Sequence, residues 1–80
     1  MGEENFTLGS VWIKHNGFSE PSIIMYEGRS EDHNTINYIY YEDYITEGIL
    51  PNTYRMPIAK FSEYRLMERD ELVKYHLKRA

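Results

Sequence analysis

The sequence predicts a mainly β domain (β-rich α+β) of about five short antiparallel strands and a short C-terminal helix. Three features predict it. Short runs of β-branched and aromatic residues recur along the chain, separated by Gly, Pro and Asn. The clearest run alternates with a period of two, as a strand does. Only residues 70–79 join helix-start chemistry to apolar residues at helical spacing.

Residues 1–8 read as a flexible N-terminal arm and residues 9–80 as one small domain, since no linker or repeat divides the chain. Gly9-Ser10 leads into Val11-Trp12-Ile13-Lys14, the first strand. His15-Asn16-Gly17 ends it with an Asn-Gly turn signal, and Phe18 is expected to pack back. Glu20-Pro21 punctuates the next start. Residues 22–27 form the second strand; Gly28 breaks it, and Arg29 to Thr35 is polar enough to be a loop. Residues 36–41 form the third strand. Ile36, Tyr38 and Tyr40 fall on one face, Ile39 and Tyr41 on the other. A strand apolar on both faces is either central in a closed barrel or exposes an aromatic ledge.

Tyr44 to Thr53 reads as a long connection broken by Gly48, Pro51 and Asn52. Residues 54–58 resume the extended pattern, and Pro57, which cannot donate to a ladder, ends that strand or marks an edge. Residues 58–61 suit one turn of 3₁₀ helix. Tyr64-Arg65-Leu66-Met67 supplies the last strand. Asp70 caps a helix with Glu71 in its first turn, and Lys74, Lys78 and Arg79 complement its C-terminal dipole. Leu72, Val73, His76 and Leu77 are its expected apolar face. A single helix from Ser62 to Arg79 is the alternative.

Composition narrows the functional classes. Without cysteine, no disulfide and no thiolate zinc site can form. The longest aliphatic run, Ile23-Ile24-Met25, falls far short of the roughly 20 residues of a membrane span. The acidic start lacks the apolar stretch of a secretory signal, and Phe6 stands where a myristoylation motif wants Ser or Thr. A cytoplasmic location is the expectation. The net charge of −4 is uneven: residues 27–47 carry −5, while residues 51–80 carry +3. The middle would repel phosphates; the tail would not.

Several landmarks fall in a familiar order. They are Gly9 before the first strand, His15-Asn16-Gly17 after it, Ser30-Glu31 in a loop, and Tyr40 or Tyr41 ending the third strand. Tyr54-Arg55-Met56-Pro57-Ile58-Ala59-Lys60-Phe61 follows. Across residues 9–67 the chain resembles a family of small uncharacterised bacterial and phage proteins with an SH3-like barrel. It departs at Met56, which separates Arg55 from Pro57, and in the longer stretch between residues 43 and 53. The resemblance implies a small SH3-like antiparallel barrel. It carries no catalytic residue across.

The chemistry-bearing residues are sparse. His15, His33 and His76 lie outside helical or strand reach of one another, so no local metal pair exists. His33 with Glu31 and Asp32 reads as a solvated loop before it reads as a metal site. No nucleophile elbow surrounds any serine. Glu31-Asp32 and Glu42-Asp43 are adjacent acids, whereas acid–base catalysis wants two carboxyls in different environments. The expectation is therefore no enzyme, no catalytic residue, no metal and no cofactor.

Tyr38, Ile39, Tyr40, Tyr41, Glu42, Asp43 and Tyr44 form the segment singled out. Tyr38, Tyr40, Tyr41, Glu42, Asp43 and Tyr44 are the expected partner-binding residues, because aromatic area and carboxylates suit a protein with a basic surface. The expected function is a non-enzymatic protein-interaction module, a small phage or bacterial accessory or inhibitory protein. The alternative is a tyrosine-lined barrel that sequesters a nucleotide-like small molecule, or binds nucleic acid by stacking bases on Trp12 and the tyrosines. An exposed edge strand would also permit a homodimer.

Overall fold

The structure is a computed structural model that describes residues 7–79. Residues 1–6, most of the expected arm, lie outside the described residues. Among the described residues, five strands and three helices follow one another: β1 (Val11–Asn16), β2 (Ser19–Arg29), β3 (Thr35–Tyr40), α1 (Tyr41–Ile45), β4 (Tyr54–Pro57), α2 (Ile58–Phe61), β5 (Arg65–Leu66) and α3 (Arg69–Arg79). The strands form one antiparallel sheet in the order β4-β3-β2-β1-β5.

That sheet is open, which corrects the expected SH3-like barrel and the resemblance that implied it. β4 and β5 stand at opposite edges and do not pair. The reason is the length of the last strand. β5 has two residues, matched only to Trp12 and Ile13 of β1, before the chain turns into α3. A two-residue strand cannot curl across to β4. The mainly β composition and the C-terminal helix stand.

An open sheet still has to bury apolar residues on both sides, and here each face has its own core. Trp12, Ile24, Tyr26, Ile36, Tyr38, Met56 and Phe61 make the first, with Ile58, Tyr64 and Leu66 packed against it. Val11, Ile13, Met25, Ile39, Tyr41 and Met67 make the second, backed by Ile23, Ile45, Leu72 and Tyr75. Strand alternation creates the division: Val11 and Ile13 point one way, and Trp12 the other. α2 covers the first face; α1 and α3 cover the second. Helices thus replace closure as the means of burial. Ile24 and Ile36 are completely buried and anchor the first core.

Three local features depart from the sequence reading. The β1–β2 hairpin turns at Gly17-Phe18, with Asn16 opposite Ser19, and Gly17 has φ +65°. This throws Phe18 into solvent, where it packs on nothing buried. Gly28 does not end β2. At φ +119° it forms a bulge after Tyr26, and pairing with β3 resumes at Gly28 and Arg29. Tyr41 leaves the ladder and opens α1, in a stretch read as strand end and long loop.

β3 covers β2 only from Ile24 to Arg29, so β2 runs past it toward the hairpin. Pro21 lies in that overhang and removes a donor from an unpartnered edge. On the same side of the sheet, Pro57 closes the edge strand β4. Both prolines sit where strand addition by another chain would begin.

Candidate functional site

The six expected partner-binding residues do not share one surface. Tyr38 and Tyr40 stay on the first face, as the alternation predicts, and Tyr54 joins them across the β3–β4 pair. Tyr41, Glu42 and Tyr44 turn away with α1 toward the second face and α3. A strand-to-helix change at Tyr40–Tyr41 thus cuts the segment into two constellations.

The first is an aromatic ledge. Tyr38 is buried, and its ring stacks on Tyr54 at 5.7 Å between centroids. Tyr40 meets Tyr38 edge-on at 5.7 Å and Tyr54 at 5.2 Å. Tyr40 and Tyr54 remain 38% and 39% exposed. Burial, followed by hydrogen bonding to Tyr40, pushes the Tyr38 phenol up to about 12. Ile49 and Leu50, in the connection leading to Tyr54, are exposed too, Leu50 at 92%. Exposed aromatics held against a buried ring lose little entropy when they bind.

The second constellation is a clasp. The Tyr41 hydroxyl lies 2.7 Å from His76 Nε2 on α3. Tyr75 donates its hydroxyl to Glu42 at 2.9 Å, and Arg79 donates to the other oxygen of Glu42 at 2.6 Å. Arg79 also lies over the Tyr75 ring, 5.8 Å from its centroid. The Arg79 guanidinium, then the Tyr75 hydroxyl, holds the Glu42 carboxyl below the usual range. Burial and the Glu42 charge push the Tyr75 phenol up. Burial also raises the Tyr41 phenol. Glu42 is therefore engaged within the chain, while Asp43 is half-buried and Tyr44, stacked on Tyr41, stays 54% exposed.

The clasp explains which side of α3 faces the sheet. Leu72 and Tyr75 pack on the second core, with His76 and Arg79 beside them as polar tethers. Val73 and Leu77, expected on the apolar face, point to solvent. A second anchor binds the helix start: the Arg65 guanidinium makes a two-pronged bond to Glu71, which also accepts the Glu68 N–H. Arg65, then that backbone donor, holds the Glu71 carboxyl down at about 2. No α3 residue is buried. Because the helix is tied by long side chains, an open groove of about 800 Å³ remains between it and the β1–β2 end of the sheet.

The loop between β2 and β3 accounts for the other acidic cluster. Asp32 Oδ1 accepts from the Ser30 hydroxyl and, at 2.9 Å, from the Asn34 N–H, and His33 takes a left-handed φ of 61°. Those bonds hold the Asp32 carboxyl below its ordinary value. This is turn chemistry. Among the described residues, no three His, Asp or Glu side chains come together to hold a metal ion, and no helix is long and apolar enough to cross a membrane. The chain matches no family model, no curated protein and no solved structure.

Sequence reasoning missed Tyr54, Tyr75, His76 and Arg79 as members of these constellations. The strand pairing that brings Tyr54 beside Tyr38 spans 16 residues. Tyr41 and His76 lie 35 residues apart. The one available signal was the placement of Tyr75, His76 and Arg79 at helical spacing on one side of α3.

Proposed function

We propose that this chain is a non-enzymatic protein-interaction module that receives a partner with a basic surface on the Tyr40–Tyr54 ledge. One observation carries the reading: two tyrosines more than a third exposed, in ring contact, resting on the buried Tyr38. Pre-ordered, partly exposed tyrosines are the usual anchors of protein interfaces. Asp43 and Glu47 lie in and just after α1 without an ion pair among the described residues, whereas Glu42 is held by Arg79. They supply charge for Arg or Lys of the partner, and arginine stacks on tyrosine faces. Leu50 and Ile49 extend the apolar area along the connection into β4.

The reading is tested by affinity capture with three forms of the chain: wild type, Tyr40→Ser with Tyr54→Ser, and Lys74→Gln with Lys78→Gln on α3. The expected result is a protein retained by wild type and the α3 variant and lost with the ledge variant. Equal retention by all three would refute the ledge. Nucleic acid in the eluate that disappears steeply with added salt would instead favour a charge-driven binder.

A further inference from the structure

Beneath α3 the chain carries a second recognition site, and we propose that it takes a small amphipathic monoanion: an apolar chain or ring ending in one carboxylate. The groove of about 800 Å³ has the size of a small-molecule pocket. Its floor is apolar, made by Ile13, Ile23, Met67 and the Tyr75 ring. Ile13 and Met67 belong to the second core and are already buried, so the floor is rigid.

The charge at the rim decides the head group. Six charged side chains line the groove: Glu20, Glu42, Glu71, Lys74, Lys78 and Arg79. Glu42 is neutralised by Arg79 and also accepts the Tyr75 hydroxyl. Glu71 is neutralised by Arg65, which approaches from β5. Lys74 and Lys78 have no ion pair among the described residues. They lie one helical turn apart on the same side of α3, so their ammonium groups can close on one anion. Glu20, at the hairpin end of the groove, is the remaining free charge. Two free cations at the helix and one acid at the far end favour a ligand with a single negative head and an apolar body lying toward the hairpin.

The site is separate from the ledge in all but Tyr40, which borders both. It calls for a free single-chain anion rather than a lipid surface, because its apolar area lies between α3 and the β1–β2 end of the sheet. Val73 and Leu77 face away on the outer side of α3.

Titration with sodium decanoate below its micelle concentration, followed by two-dimensional NMR of the whole chain, tests this. Decylammonium and a neutral decyl glycoside serve as probes of the same length. The expected result is saturable shifts at the Ile13, Ile23 and Met67 methyl groups, with decanoate binding at least tenfold tighter than either control. Lys74→Gln with Lys78→Gln should abolish that preference while leaving the melting temperature within about 2 °C, as for surface substitutions in a domain this size. Equal binding of the three probes, shifts confined to the outer face of α3, or no saturable shift overturns the assignment. So does sedimentation with anionic vesicles when decanoate itself does not bind.

Discussion

Replacing Tyr41 with Phe should loosen α3 by a small, measurable amount. The substitution keeps the buried ring and removes the hydroxyl that meets His76 Nε2 at 2.7 Å. A net hydrogen bond contributes about 0.5–1.5 kcal/mol. His76 is exposed, so its freed nitrogen finds water, and the lower half of the range, about 0.5–1 kcal/mol, applies. In a domain of this size each kcal/mol moves Tm by about 4–8 °C, which gives a fall of about 2–8 °C. His76→Ala loses the same bond and the edge-on ring contacts to Tyr41 and Tyr75, at 5.7 and 5.8 Å. It should cost about 1–2 kcal/mol. The double variant should then cost less than the two single costs together, by about 0.5–1 kcal/mol. Urea unfolding followed by fluorescence of Trp12, the single tryptophan, buried in the other core, reads each value. Strict additivity would mean that the two groups do not act on each other, and the clasp would be wrong.

Other consequences are equally open to measurement. Ile36→Ala, at a position with no exposure, should cost about 2–5 kcal/mol by the same assay, whereas Leu77→Gln, 70% exposed, should stay within about 0.5 kcal/mol. Gly28→Ala forces a side chain to φ +119° and against Leu8 Cδ2 at 3.6 Å; a loss of about 1–3 kcal/mol is expected, and an unchanged midpoint would contradict the bulge. The folded values of the Glu71 and Glu42 carboxyls lie below their ordinary 4.5, Glu71 at about 2, so the stability they add is present above pH 4.5. It should drain away between about pH 4.5 and 2, and Glu71→Gln should flatten that limb of the acid titration. At the other end, Tyr38 is raised from 10.0 to about 12, so its contribution is complete below pH 10 and is lost as pH climbs through that interval; Tyr38→Phe should resist alkaline unfolding better than wild type.

The strands were legible where side-chain alternation alone defines them. Ile36 and Tyr38 against Ile39 emerge on opposite faces as the period of two requires, and Pro57 falls at the end of an edge strand. What escaped depends on contacts far apart in the chain. Gly28 looks like a strand end, yet β3 continues to pair past it, which only the register of two strands reveals. Leu72, Val73, His76 and Leu77 make a plausible apolar stripe. The helix instead packs Leu72 and Tyr75 on the second core and offers Tyr75, His76 and Arg79 to Tyr41 and Glu42, which leaves Val73 and Leu77 on its outer side. The open sheet follows from the shortness of β5, since residues 64–67 read as a full strand. The tyrosine segment singled out Tyr40, which stands in ring contact with Tyr38 and Tyr54. Its division at Tyr41 follows from α1, which begins with acids in its first turn that suit a helix N-terminus.

The most direct test of the proposed ledge is site-specific photo-crosslinking. Benzoylphenylalanine placed at Tyr54 is compared with the same group at Glu31, in the polar loop at the far end of β3. The account predicts a discrete covalent adduct from position 54 that is suppressed by Tyr40→Ser, and none from position 31. Adducts of equal yield from both positions, or from position 31 alone, would contradict it.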